Sequence, residues 1–143
     1  MSSANTNGNG RFFFRLDMAS GVPVYRQIID QVSAGMATRS LKPGDQLPTV
    51  RQLAVDLAIN PNTVVRAYRE LEIRGVLETQ QGTGTFISDR ETKPDDAVDR
   101  NRRLDLIMDE FVARAGAGGF TVKDLMERLR DIQQPAQKAK KGR

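Results

Sequence analysis

Residues 49–71 read TVRQLAVDLAINPNTVVRAYREL, and this one stretch carries two helix starts. Thr49 and Gln52 stand at capping-box spacing, followed by Val50, Leu53, Ala54 and Leu57 on one helical face. Asn60 is a second N-cap, and Pro61 takes the first helical position, where its missing N–H costs nothing. Almost no chain is left for the turn between them. Two short helices joined this tightly form a helix-turn-helix, and the rest of the fold has to be built around it.

The flanking sequence supplies the remaining pieces. RFFFRLD (11–17) is a short aromatic run with strand character, and SGVP turns the chain into a helix. Over residues 24–39, Tyr25, Ile28, Ile29, Val32 and Met36 recur at three- and four-residue steps, the mark of a one-faced amphipathic helix. LKPGDQLP ends it. The helix over 60–75 buries Val64, Ala67, Tyr68 and Leu71, and Gly75 stands where it should stop. Residues 76–79 and 85–88 are β-prone and flank QQGTG, whose glycines suit a hairpin tip. Three helices followed by such a hairpin make a winged helix.

With Val64 at the centre of the buried side and about 100° per residue, Asn62, Arg66 and Arg69 fall opposite, with Thr63 on a flank. An amide and two guanidinium groups near a helix start suit the major groove, where arginine grips guanine and asparagine grips adenine. Arg51, one turn into the preceding helix, is placed to anchor a backbone phosphate. A tip of Gly82, Thr83 and Gly84 is slim enough for the minor groove. The cap residues Thr49 and Asn60 complete the candidate DNA-contacting set. Each group also has a plainer reading. Arg66 and Arg69 are spaced to pair with Glu70 and Glu72 on a solvated face, Arg51 is a surface arginine, and hairpin turns need glycine for geometry alone.

Bulk charge decides nothing here. The net charge of +4 equals the contribution of Lys138, Lys140, Lys141 and Arg143, and residues 22–90 hold eight basic and seven acidic side chains. The chain has no cysteine and no histidine, which removes disulfides, thiolate metal sites and the commonest general base. No carboxylate pair stands in a cleft motif, so an enzyme is not expected, and no cofactor or metal is called for. No apolar run approaches the roughly 20 residues that span a bilayer, and no signal-peptide pattern is present. The expectation is a cytoplasmic protein.

GVPVYRQIIDQV, LKPGDQLPTVRQLA, NPNTVVRAYRELE and GTGTFIS follow one another in an order and spacing that resembles the DNA-binding domain of the GntR family of bacterial transcription regulators. The resemblance covers about residues 14–90. NPNTVVRAY with only a short helical C-terminus is most similar to the YtrA subfamily. The resemblance implies DNA contacts at Arg51, Thr63, Arg66, Gly82 and Thr83. Val65 departs from it, since many members of the wider family have arginine at that position.

Beyond a charged linker (91–99), Leu104, Ile107, Met108, Phe111 and Ala115 mark one helical stripe. Val122, Leu125, Met126, Leu129 and Ile132 mark a second after GAGG, with Thr121 as cap. Two such helices cannot cover both stripes well by packing on each other alone, so a second copy of the chain is expected to do so; the plainer alternative is that both fold back on their own winged helix. The YtrA resemblance implies dimerisation here as well. The expected organisation is a mainly α chain with a small β wing. Residues 1–10 form a disordered N-terminus, 11–90 a winged helix-turn-helix, 100–134 a two-helix dimerisation appendage and 135–143 a basic disordered tail.

The functional expectation is a homodimeric regulator, most simply a repressor, reading a palindromic double-stranded operator with no membrane involved. An effector is left open, since no residue marks a site for one. The alternatives are a winged helix used only for protein–protein assembly, and a non-specific architectural DNA binder.

Overall fold

In the computed structural model, which describes residues 3–5, 12–89 and 96–133, the chain begins with β1 (Ser3–Asn5) antiparallel to β2 (Phe13–Arg15). Loose chain was expected over residues 1–10, yet Ala4 pairs with Phe14. An aromatic edge strand offers unpaired N–H and C=O groups that even a polar segment can satisfy. The alternation expected of a strand is present: Phe12 and Phe14 are buried with their rings edge to face, 5.0 Å apart, and Phe13 points outward.

The helix α1 (Val24–Ala37) buries Ile28, Ile29 and Val32, and Tyr25 and Met36 pack at the margin. It also holds the chain that follows β2. The Gln31 amide binds both backbone groups of Arg15, accepting from its N–H at 2.7 Å and donating to its carbonyl at 2.6 Å. Gln27, buried, does the same for Asp17 at 2.8 and 2.9 Å and donates a further bond to the Val22 carbonyl. These side chains thereby tie the backbone at Arg15, Asp17 and Val22 to α1. Gly35 lies inside this helix because the Phe12 ring needs the space. A Cβ at Gly35 would sit 2.7 Å from Phe12 and 2.9 Å from Leu41.

β3 (Gln46–Leu47) forms a two-residue strand in the stretch expected to be only a helix terminator. α2 (Val50–Leu57) and α3 (Pro61–Ile73) follow. Thr49 Oγ1 accepts from Gln52 N–H at 3.1 Å and Asn60 Oδ1 from Asn62 N–H at 2.9 Å, so both expected caps are made. Ala58, in the left-handed region at φ 55°, turns the chain between the two helices. All four residues expected to face inward from α3 are buried, as are Leu53, Ala54 and Leu57 of α2. Burying each of Val64, Leu71, Leu53 and Leu57 stabilises the fold by about 1.5–3 kcal/mol.

The wing is a hairpin of β4 (Leu77–Gln80) and β5 (Gly84–Ile87), which pair Leu77 with Ile87 through to Gln80 with Gly84. β3 adds to the other side of β5, giving an antiparallel sheet in the order β3-β5-β4. Leu77 and Ile87 close the core beneath it.

The chain divides after Arg90 into two units. In the second, α4 (Asp96–Ala117) starts inside the expected linker. α5 (Val122–Gln133) opens on a reciprocal cap, Thr121 N–H donating to Asp124 at 2.8 Å and Asp124 N–H to Thr121 Oγ1 at 3.3 Å. The Thr121 N–H and the Thr121 hydroxyl, which donates to the same carboxylate at 3.0 Å, hold the Asp124 carboxyl below its ordinary range. None of the described side chains of α4 and α5 is buried. The basic tail (135–143) lies outside the described residues. No helix among the described residues is long and apolar enough to cross a membrane.

Candidate nucleic-acid interface

The outward face of α3 follows from what its inward face buries. With Val64, Ala67, Tyr68 and Leu71 in the core, Asn62, Arg66 and Arg69 are exposed together and Thr63 is half-buried on the flank. Tyr68 fixes the helix along its length. Its hydroxyl donates to the Pro48 carbonyl at 2.7 Å, and burial pushes the phenol up, so it stays protonated as a donor.

The carboxylates that could have neutralised this face are engaged elsewhere. Glu70 pairs with Arg74 at 3.2 Å, and Glu72 accepts from Thr79 Oγ1 at 2.5 Å. Among the described residues, neither Arg66 nor Arg69 has an ion pair. Arg66 instead lays its guanidinium over the Tyr25 ring, with Cζ 3.7 Å from the ring centroid. The stack leaves the guanidinium N–H donors on the edges of the plane open. Val65, at the departure from the family pattern, is exposed on a flank of the helix.

Around this helix, Arg51 is exposed at the second position of α2. The Oγ1 of Thr49 and the Oδ1 of Asn60 are used as helix caps, which fixes both side chains at the starts of α2 and α3. The wing tip is exposed at Gly82 and Thr83, with Gly84 half-buried behind them. Gly84 has φ 135°, a conformation L-residues avoid, and Gln46 Nε2 donates to the Thr83 carbonyl at 3.2 Å. A Cβ at Gly84 would lie 2.6 Å from that same Gln46 nitrogen. Neither the Tyr25 stack nor the Gln46 brace is marked in the sequence. By spacing alone Tyr25 reads only as a core residue, and Gln46 stands in a segment that reads only as the end of a helix.

A three-helix unit closed by a hairpin wing, with an amide and two unpaired guanidinium groups on the free side of its last helix, defines a winged helix-turn-helix DNA-binding transcription regulator. Residues 24–87 match the family of bacterial regulatory proteins described as gntR. The HTH-type transcriptional regulator YhcF of Bacillus subtilis is 36% identical over 111 residues, 78% of this chain and 90% of that one. The HTH-type transcriptional repressor YtrA of the same organism is 48% identical over 75 residues, 52% of this chain and 58% of its own. Among solved structures, YtrA from Sulfolobus acidocaldarius, a GntR-family transcription factor, superposes with a TM-score of 0.54 at 31% identity, covering 70% of this chain and 97% of that one. The chain belongs to the GntR family.

Proposed function

We propose that the protein is a cytoplasmic, homodimeric repressor that reads a palindromic operator. In this reading α3 enters the major groove with Asn62, Arg66 and Arg69 at the base edges, and Thr63 rests against the backbone. Arg51 anchors a phosphate, and the tip at Gly82 and Thr83 lies in the minor groove. The observation that carries the reading is the face of α3: two arginines one turn apart whose neighbouring carboxylates bond elsewhere, Glu70 to Arg74 and Glu72 to the Thr79 hydroxyl. A merely solvated helix face would use those carboxylates as their partners.

The dimer is proposed on the second unit. Leu104, Ile107, Met108, Phe111, Val122, Met126 and Leu129 are all exposed and Leu125 is half-covered, a degree of apolar exposure that calls for a partner surface. Two copies joined through α4 and α5 would form a two-fold helical bundle. Each would then present its α3 to one half of a palindrome. The relative named a repressor supports the direction of regulation.

The test is selection of DNA from a random pool by the purified full chain, followed by anisotropy titration over a range of salt. The reading expects a palindrome bound by two chains, with affinity falling as salt rises. A protein–protein module predicts no enrichment. A non-specific architectural protein predicts binding without sequence preference, abolished by deleting residues 136–143.

A further inference from the structure

We infer that Tyr25 is a positioning residue for DNA reading: its ring holds the Arg66 guanidinium flat and aims its hydrogen-bonding edge away from α3. The inference rests on the reading of Arg66 given above. Tyr25 is the second residue of α1, half-buried against the core, and so cannot swing away. Arg66 lies over it at 3.7 Å and makes no hydrogen bond or ion pair with any other described side chain. Among the described residues no other group fixes this side chain. Glu70, the neighbour at helical spacing, is held by Arg74.

An unrestrained arginine samples many rotamers and loses that freedom on gripping a base, whereas a stacked one has already lost it. Stacking blocks only the faces of the plane. The donors that match the two acceptors of guanine lie on its edges. A tyrosine on a neighbouring helix thereby sets the sequence discrimination of a residue on α3 without touching DNA.

The experiment compares wild type, Tyr25→Phe, Tyr25→Leu, Arg66→Ala, Arg66→Lys and the Tyr25→Leu/Arg66→Ala double variant. Each is titrated against the selected operator and all its single base-pair substitutions, with a thermal melt for each protein. The ring alone is needed, so Tyr25→Phe keeps wild-type discrimination. Tyr25→Leu loses roughly 2- to 5-fold, the worth of an exposed cation–ring contact. That loss falls on the base pair where Arg66→Ala loses, and the double variant is no worse than Arg66→Ala. Arg66→Lys keeps the charge, leaves α1 untouched and loses the same discrimination.

A loss in Tyr25→Leu spread evenly over all base pairs and multiplying with that of Arg66→Ala overturns the positioning role while leaving Arg66 as a base reader. Wild-type discrimination in Arg66→Lys, or a loss in Tyr25→Phe equal to that in Tyr25→Leu, also overturns it. An Arg66→Ala profile flat across base pairs overturns the reading of Arg66 and the role of Tyr25 with it. Independently of DNA, the Arg66 Nε–H proton should resonate upfield through the ring current in wild type and Tyr25→Phe, and shift back in Tyr25→Leu. An unshifted wild-type proton contradicts the stack itself.

Discussion

The Tyr68 hydroxyl and the Pro48 carbonyl meet at 2.7 Å inside the protein, joining the middle of α3 to the residue just before the α2 cap at Thr49. This hydrogen bond adds to the shared apolar core in holding the two helices of the helix-turn-helix together. Tyr68→Phe keeps the ring and orphans a buried acceptor, which costs about 1–3 kcal/mol in a denaturant titration. The pH dependence follows from the raised phenol. The fold favours the protonated form, so the stabilisation is complete below the ordinary tyrosine value and is lost as pH rises past about 10. Wild type should therefore lose stability above that pH more steeply than Tyr68→Phe. Parallel curves would show that the phenol is not held in its neutral form.

Gly35→Ala tests the packing of the aromatic strand. Alanine is the better helix former, so a rule based on propensity predicts stabilisation. The Phe12 ring at 2.7 Å predicts the opposite, a loss of about 1–3 kcal/mol from overpacking. Thermal melts of the two proteins give the sign directly.

Arg51 and Arg66 should respond differently to substitution. Arg51→Ala is expected to weaken binding to every sequence and lower the salt slope by about one unit. Arg66→Ala is expected to cost about 1–3 kcal/mol at one base pair of each half-site. A matrix of affinities over sequence and salt separates the two, and identical behaviour would refute the division of roles.

The wing makes a third kind of demand. Gly84→Ala places a methyl against Gln46 at a backbone angle that only glycine adopts easily, so the brace from Gln46 to Thr83 is expected to break. Operator affinity should fall while α1, α2 and α3 remain folded by circular dichroism. Undiminished affinity would remove the tip from the interface.

Much of this was legible in the sequence, because one-sided helices advertise themselves by period. Val64, Ala67, Tyr68 and Leu71 are buried as the spacing implies, and Thr49 and Asn60 cap as their positions imply. What escaped depends on distant partners. β3 exists only because β5 lies beside it, and a strand of two residues has no period to read. Glu70 had two arginines at helical spacing, Arg66 before it and Arg74 after it, and sequence alone could not choose between them. The Tyr25 ring resolves it by taking Arg66, a contact between helices forty residues apart in the chain.

Two-fold joining through the second unit is tested by Phe111→Asp with Leu125→Asp. The account expects monomers by sedimentation, an intact winged helix and loss of operator binding. A monomer that binds with wild-type affinity would end the dimer proposal.

The central claim is that α3 faces the major groove from two symmetric subunits. Interference by methylation of guanine N7, an acceptor that lies only in that groove, tests it most directly. Blocked guanines are expected in two symmetric clusters, about one helical turn or a multiple of it apart, with one position in each cluster relieved in Arg66→Ala. Binding that tolerates N7 methylation throughout, or a single unpaired cluster, would contradict it.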